Sequence, residues 1–182
     1  MKTGIVLIAI VLVFTAAIAS FAPKIPVVKD FSAKGDHVET DHDAGLDGWA
    51  VLLEMNEFPE GWSDLPVEFI NSERMQTALF GLGWQNDHVR TIRDNLTLSA
   101  VQEAVEWLVN HADCDDSALL YIFTHGNWMS NILQWNDWFP VEWQKLNASK
   151  RILIVDTCFA EEFIEPIRDD PSPHISLACC SA

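Results

Sequence analysis

The chain has 182 residues, 49% of them hydrophobic, and a formal net charge of −16. That is enough apolar material for one domain with a sizeable core, and too short a chain for two comfortable ones. The excess of carboxylates repels phosphates and argues against nucleic acid as a partner.

Residues 1–22 differ in character from the rest. Met1-Lys2 precedes an apolar run that reaches Ala19, with Ala17-Ile18-Ala19 as a small-x-small cleavage pattern. This reads as a secretory signal, or, over residues 4–22, as a membrane anchor just long enough to span. Either reading places the globular part outside the cytoplasm, secreted or membrane-anchored. Residues 23–48 read as an acidic linker. Asp41, Asp43 and Asp47 hint at a calcium loop, but Leu52 stands where its bidentate Glu belongs.

From residue 49 the apolar periodicity sets in. WAVLLEM (49–55) reads as a buried strand. A helical pattern follows over 67–80 and stops at Gly81-Leu82-Gly83. Residues 88–92 form a second, less apolar strand nearer an edge. Thr97 caps a helix in which Leu98, Val101, Val105, Leu108 and Val109 recur at helical spacing. Residues 118–123 are a third strand, ending at Thr124-His125-Gly126. The segment 127–139 is expected as a hairpin or long loop, followed by a short helix over 141–146. Four of the eight tryptophans, Trp128, Trp135, Trp138 and Trp143, fall here. They suit either an exposed binding surface or an aromatic cluster packed on the sheet. Residues 152–155 are a fourth strand, ending at Asp156-Thr157-Cys158. A helix over 159–167 is disturbed by Pro166, and 174–179 is a fifth strand. Strands alternating with helices predict an α/β fold with a mainly parallel sheet, whose site lies at the carboxyl ends of the strands.

His125 and Cys158 each stand just past the end of a strand. The thirty-odd residues between them allow a helical crossover, so the two strands are expected to be parallel. As neighbours, their tips would lie roughly 5 Å apart. An ordinary thiol is only a few per cent ionised at neutral pH, and an adjacent imidazole can take its proton or stabilise the thiolate. Gly126 has no side chain to block its backbone N–H. That N–H and the one of Cys158 could hold the oxyanion of a tetrahedral intermediate. The set suits acyl transfer by a cysteine nucleophile. It needs no metal and no organic cofactor. Of the four cysteines (Cys114, Cys158, Cys179 and Cys180), Cys158 is expected to stay a thiol, and no spacing matches a zinc site.

The order of apolar strand, His-Gly, crossover, apolar strand and Asp-x-Cys resembles the caspase-like cysteine peptidases, which include caspases, metacaspases and legumains. WAVLLEMNEF (49–58) resembles their first strand, ALLYIFTHG (118–126) the histidine strand, RILIVDTCFAEEF (151–163) the nucleophile strand, and HISLACCSA (174–182) the next. The likeness covers residues 49–182 and is nearest to prokaryotic caspase-family and legumain-like proteins. It implies a three-layer α/β sandwich with five of the usual six strands. His125 would be the general base and Cys158 the nucleophile. Asn56 would orient the histidine. Asp156 would line the primary specificity pocket, favouring Arg, Lys or Asn before the scissile bond of a peptide or protein substrate. Ala160, Glu161 and Glu162 stand where many relatives have Ser-Gly or Gly-Gly. Asn71-Ser72 stands where the first helix of metacaspases often carries an acid, a departure that argues against a basic specificity. Relatives usually continue beyond a position equivalent to Ala182 with another strand and cleft loops. The alternative to an endopeptidase is an inactive binding or regulatory module on the same fold. A thiol redox protein using Cys158 with Cys179 or Cys180 lacks Cys-x-x-Cys spacing. A nucleotide-binding protein lacks the Gly-rich loop after its first strand.

Overall fold

Five apolar runs become the five strands of one parallel sheet in the computed structural model, which describes residues 48–65 and 71–179. The N-terminal apolar run, the linker up to residue 47, residues 66–70 at the expected start of the first helix, and residues 180–182 lie outside the described residues. No helix among the described residues is long and apolar enough to cross a membrane.

The strands are β1 (Gly48–Glu54), β2 (Val89–Arg93), β3 (Ser117–Phe123), β4 (Lys150–Asp156) and β5 (His174–Cys179). Their order across the sheet is β2-β1-β3-β4-β5. Gly48, expected in the linker, opens β1 instead. Its amide has no room for a side chain: a Cβ there would come within 2.3 Å of the Trp84 ring. The central strands are buried on both faces, as continuous Val, Ile and Leu runs require in a parallel sheet. β2 carries Arg90 and Arg93 and is half-buried throughout, which suits an edge strand. Register is in step across the three central strands. Glu54 pairs with Phe123, and Phe123 with Asp156.

Helices cover both faces, so the molecule has three layers. α1 (Asn71–Gly81) buries Asn71, Ser72, Met75 and Leu79. Its first backbone N–H groups, those of Asn71 and Ser72, donate to the Glu54 carboxylate at the end of β1. A negative group there answers both the unpaired amides and the helix dipole. α2 (Leu98–His111) lies on the opposite face. Thr97 Oγ1 caps it by accepting from the Ala100 N–H, and Val101, Ala104, Val105 and Leu108 are its buried stripe.

The segment 127–139 is not a hairpin or loop. It forms nearly all of α3 (Gly126–Asn131) and the first turns of α4 (Trp135–Lys145), and the short helix expected over 141–146 is the end of α4. Trp135, Phe139 and Trp143 recur four residues apart, which is one helix face. All three are buried, with Trp135 and Phe139 stacked at 4.0 Å. Aromatic residues favour strands, and Pro140 breaks the amide ladder, so local propensity disguised a packed helix. The tryptophans are therefore a core cluster; Trp128, Trp135 and Trp143 are buried with Leu120, Ile122, Leu153 and Val155. α5 (Ala160–Ile164) passes into a 3-10 turn over Glu165–Ile167, where Pro166 cannot continue the α ladder.

Candidate active site

β3 and β4 are hydrogen-bonded neighbours, and each ends in a sharp turn into a helix. The ladder runs one step past the paired Phe123 and Asp156, with the Thr124 N–H donating to the Asp156 carbonyl at 3.4 Å. His125 and Cys158 each follow two residues past that pair. His125 is extended (φ −70°, ψ 140°) and precedes the first turn of α3. Phe159, after Cys158, is left-handed at φ +59° before α5 begins. A residue with a Cβ gives up roughly 1–2 kcal/mol in that conformation.

The two turns touch through Gly126. A Cβ on that residue would lie 2.4 Å from the Cys158 carbonyl oxygen and 3.5 Å from the Cys158 Cβ. Only glycine fits, and this is why His-Gly rather than His-x follows the strand. A cavity of about 440 Å³ opens here, lined by Gly61, Trp62, Ser63, His125, Gly126, Asn127, Cys158 and Phe159. The thiol of Cys158 is exposed to it.

His125 is held by the loop after β1. Its Nε2 lies 2.8 Å from the Ser63 carbonyl oxygen. A carbonyl only accepts, so Nε2 carries the proton and Nδ1 keeps the lone pair that a base needs. The ring also rests against Phe58 at 4.6 Å and Trp62 at 6.4 Å. Those rings meet the edge of Trp128, whose indole N–H donates to the Leu96 carbonyl. The loop is closed by two further bonds: the Phe58 N–H donates to Asp64, and the Leu65 N–H to the Asn56 carbonyl.

Asn56 does not orient the histidine. Its side chain is buried and makes no hydrogen bond among the described residues, and its N–H is drawn toward Asp94 Oδ1. The Ser63 carbonyl fills the role that the resemblance gave to Asn56. A backbone acceptor carries no side-chain signature, so sequence alone could not single it out. Trp62 and Phe58 were also missed; the nearby Pro59 and Gly61 marked a turn but not its direction.

Asp156 is 2% exposed and is not among the residues lining the cavity. It lies on the sheet face covered by α1, two strands from Glu54 at the same level. Its Oδ1 has no hydrogen-bond partner among the described residues. Burial, and then the Glu54 charge, push its carboxyl up to about 6. The Tyr121 hydroxyl, on the same face, is pushed well up by burial and by both acids. Glu54 was passed over as the end of a strand, although an acid closing a buried run was the available signal. Glu161 and Glu162 are exposed in the first turn of α5, where the helix dipole favours acids. Asp113, Cys114 and Asp115 bring ligand atoms within 4.8 Å of one another on an exposed turn remote in sequence from the cleft.

A parallel α/β domain with a thiol and an imidazole at adjacent strand tips defines a class of cysteine-dependent hydrolases. Residues 47–179 match the family model described as the caspase domain, and the chain belongs to that family, a family of cysteine peptidases. No curated protein shows significant similarity to the chain.

Proposed function

We propose that the protein is a cysteine endopeptidase in which Cys158 is the nucleophile and His125 the general base. The observation that carries this reading is the contact of Gly126 with Cys158 beside an imidazole whose Nε2 is tied to Ser63. His125 Nδ1 takes the thiol proton, and the sulfur attacks the scissile carbonyl carbon. The N–H groups of Gly126 and Cys158 are the donors offered to the resulting oxyanion. The C–N bond then breaks, and the amine leaves with the proton held by His125. Water, deprotonated by the same imidazole, releases the acyl group and restores the thiol.

The substrate residue before the cut is Arg or Lys, with Asn as the neutral alternative. What supports a cation is the buried pair of Asp156 and Glu54, a carboxylate pair with an unpartnered oxygen. A second reading, an inactive caspase-fold binding module, is favoured by the absence of Asp156 from the cavity lining. The apolar run of residues 4–22, read as a signal or anchor, supports a location outside the cytoplasm.

The test is alkylation of each cysteine by iodoacetamide across pH ~5 to ~9, read by mass spectrometry beside a His125→Ala variant and paired with hydrolysis of fluorogenic peptides. Selective reaction of Cys158 that falls about 10²-fold or more in the variant is expected, with cleavage after basic residues. Binding of peptides that survives Cys158→Ala, without cleavage by the unaltered chain, would favour the module instead.

A further inference from the structure

We infer that Trp62 and Phe159 form an apolar subsite beside Cys158 that takes a large apolar side chain, aromatic or branched aliphatic, from a residue flanking the bond under attack. The inference deepens the peptidase reading and rests on it.

Four large apolar residues are exposed among the described residues: Ile132, Val141, Phe159 and Ile175. Phe159 is the most exposed, at 62%, and it is the one that lines the cavity with the thiol. Neither the core nor the turn accounts for its ring. The backbone is left-handed at φ +59°, where glycine or asparagine would sit with less strain. A strained position that keeps a bulky, solvent-exposed ring next to a nucleophile is where a binding role is to be sought.

Trp62 supplies another wall. It stands beside Ser63, whose carbonyl holds His125, and stacks on Phe58 with centroids 6.3 Å apart. Its edge contact with Trp128 at 5.1 Å fixes it further. An indole ordered before the ligand arrives has little conformational freedom left to lose on binding. The electrostatics agree. No carboxylate lines this cavity among the described residues, in a chain of net charge −16. Asp156 is outside the lining, so this subsite is separate from the one assigned to a cation. The surface is continuous with the reacting thiol, which is why its occupant is part of the substrate rather than a distant partner.

The experiment compares N-benzyl-2-iodoacetamide with 2-iodoacetamide on the full chain. In both, the sulfur of the deprotonated thiol bonds to the CH2 carbon, the C–I bond breaks, iodide leaves, and the thiol proton passes to the base. Peptide mapping gives the ratio of the two rates at Cys158 and at the exposed Cys114, which serves as internal reference. The ratio at Cys158 is expected to exceed that at Cys114 by about tenfold, the gain from covering one phenyl group. In Phe159→Gly, whose turn tolerates the left-handed backbone, the ratio falls towards that of Cys114. Equal ratios at the two cysteines, an unchanged ratio in Phe159→Gly, or failure of both reagents to reach Cys158 would each overturn the subsite. Peptides differing only in Phe or Ala on either side of the cut supply the parallel arm. An enriched ratio without any peptide cleavage upholds the subsite and removes the peptidase reading. Cleavage indifferent to Phe, with equal ratios, removes the subsite and leaves the peptidase reading standing.

Discussion

The two ends of the parallel sheet are built from similar residue types and resolved differently. At the amino end, Trp49, the second residue of β1, has its indole N–H donating to Asp116 at 3.1 Å. His88 stacks on the same indole at 3.7 Å, and Trp107 and His111 close around it. Arg151, at the start of β4, reaches Asp170 at 3.2 Å, both nearly buried. At the carboxyl end, the side chains of Asn56, Thr124, Asp156 and Thr157 are buried with polar atoms that find no partner among the described residues. A buried polar group left so costs about 1–3 kcal/mol. One end uses its charges and rings to hold the strands, although His88 Nδ1 and Arg151 Nε are left without a hydrogen-bond partner there among the described residues. The other leaves its polar groups uncommitted beside the thiol and the imidazole, as functional sites commonly do at the expense of stability.

That contrast can be broken at either end. The largest stability effect belongs to the amino end. Asp170→Ala leaves the Arg151 guanidinium buried without its carboxylate, with an expected loss of about 3–5 kcal/mol in urea unfolding. The pH–rate profile of Cys158 alkylation should be unchanged, and a shifted profile would mean that the two ends are coupled. At the carboxyl end, Gly126→Ala forces a Cβ against the Cys158 carbonyl. Peptide hydrolysis is expected to fall about 10²-fold or more, as when an oxyanion donor is displaced, while Cys158 alkylation, which develops no oxyanion, should fall far less. Unchanged hydrolysis would refute the contact between the two strand tips.

Asp156 gives the next effect and a sign. Its carboxyl is raised from 3.8 to about 6, so the folded state holds its proton where the unfolded state has lost it. Stability therefore falls as pH rises between these values, by about 3 kcal/mol, and levels off above. Asp156→Asn should flatten that slope in thermal or urea titrations. In the unaltered chain, KM for peptides with Arg before the cut should drop as pH rises through the same upper value; peptides with Asn there should not follow. The smallest effect is at Trp49. Trp49→Phe removes the indole bond to Asp116 and should cost about 1 kcal/mol in unfolding free energy, leaving the cleft untouched.

The strands were legible because a parallel sheet buried on both faces writes uninterrupted Val, Ile and Leu runs. β5 is described over the expected His174–Cys179, β4 begins two residues before its expected start, and the other strands differ by one residue at their ends. The adjacency of His125 and Cys158 followed from strand tips and a crossover of suitable length. The helices of 126–145 were not legible, because their face is made of aromatic residues and a proline that locally favour other states. Burial of those rings against the sheet decided the matter. The residues proposed to set specificity were half legible. Asp156 was visible as an acid before the thiol, but its companion Glu54 is a partner only through strand register, which joins positions about a hundred residues apart.

The bond from Ser63 to His125 has a consequence for how this site would respond to mutation. Because the acceptor is a main-chain carbonyl, any side chain that keeps the loop's path at position 63 preserves it, and an alanine scan would pass over it in silence. Genetic variation can reach it only through the course of the loop itself, by a deletion between Phe58 and Asp64 or a residue that turns the peptide plane. The imidazole's orientation is thus insulated from single substitutions at its own contact and exposed to changes in loop length.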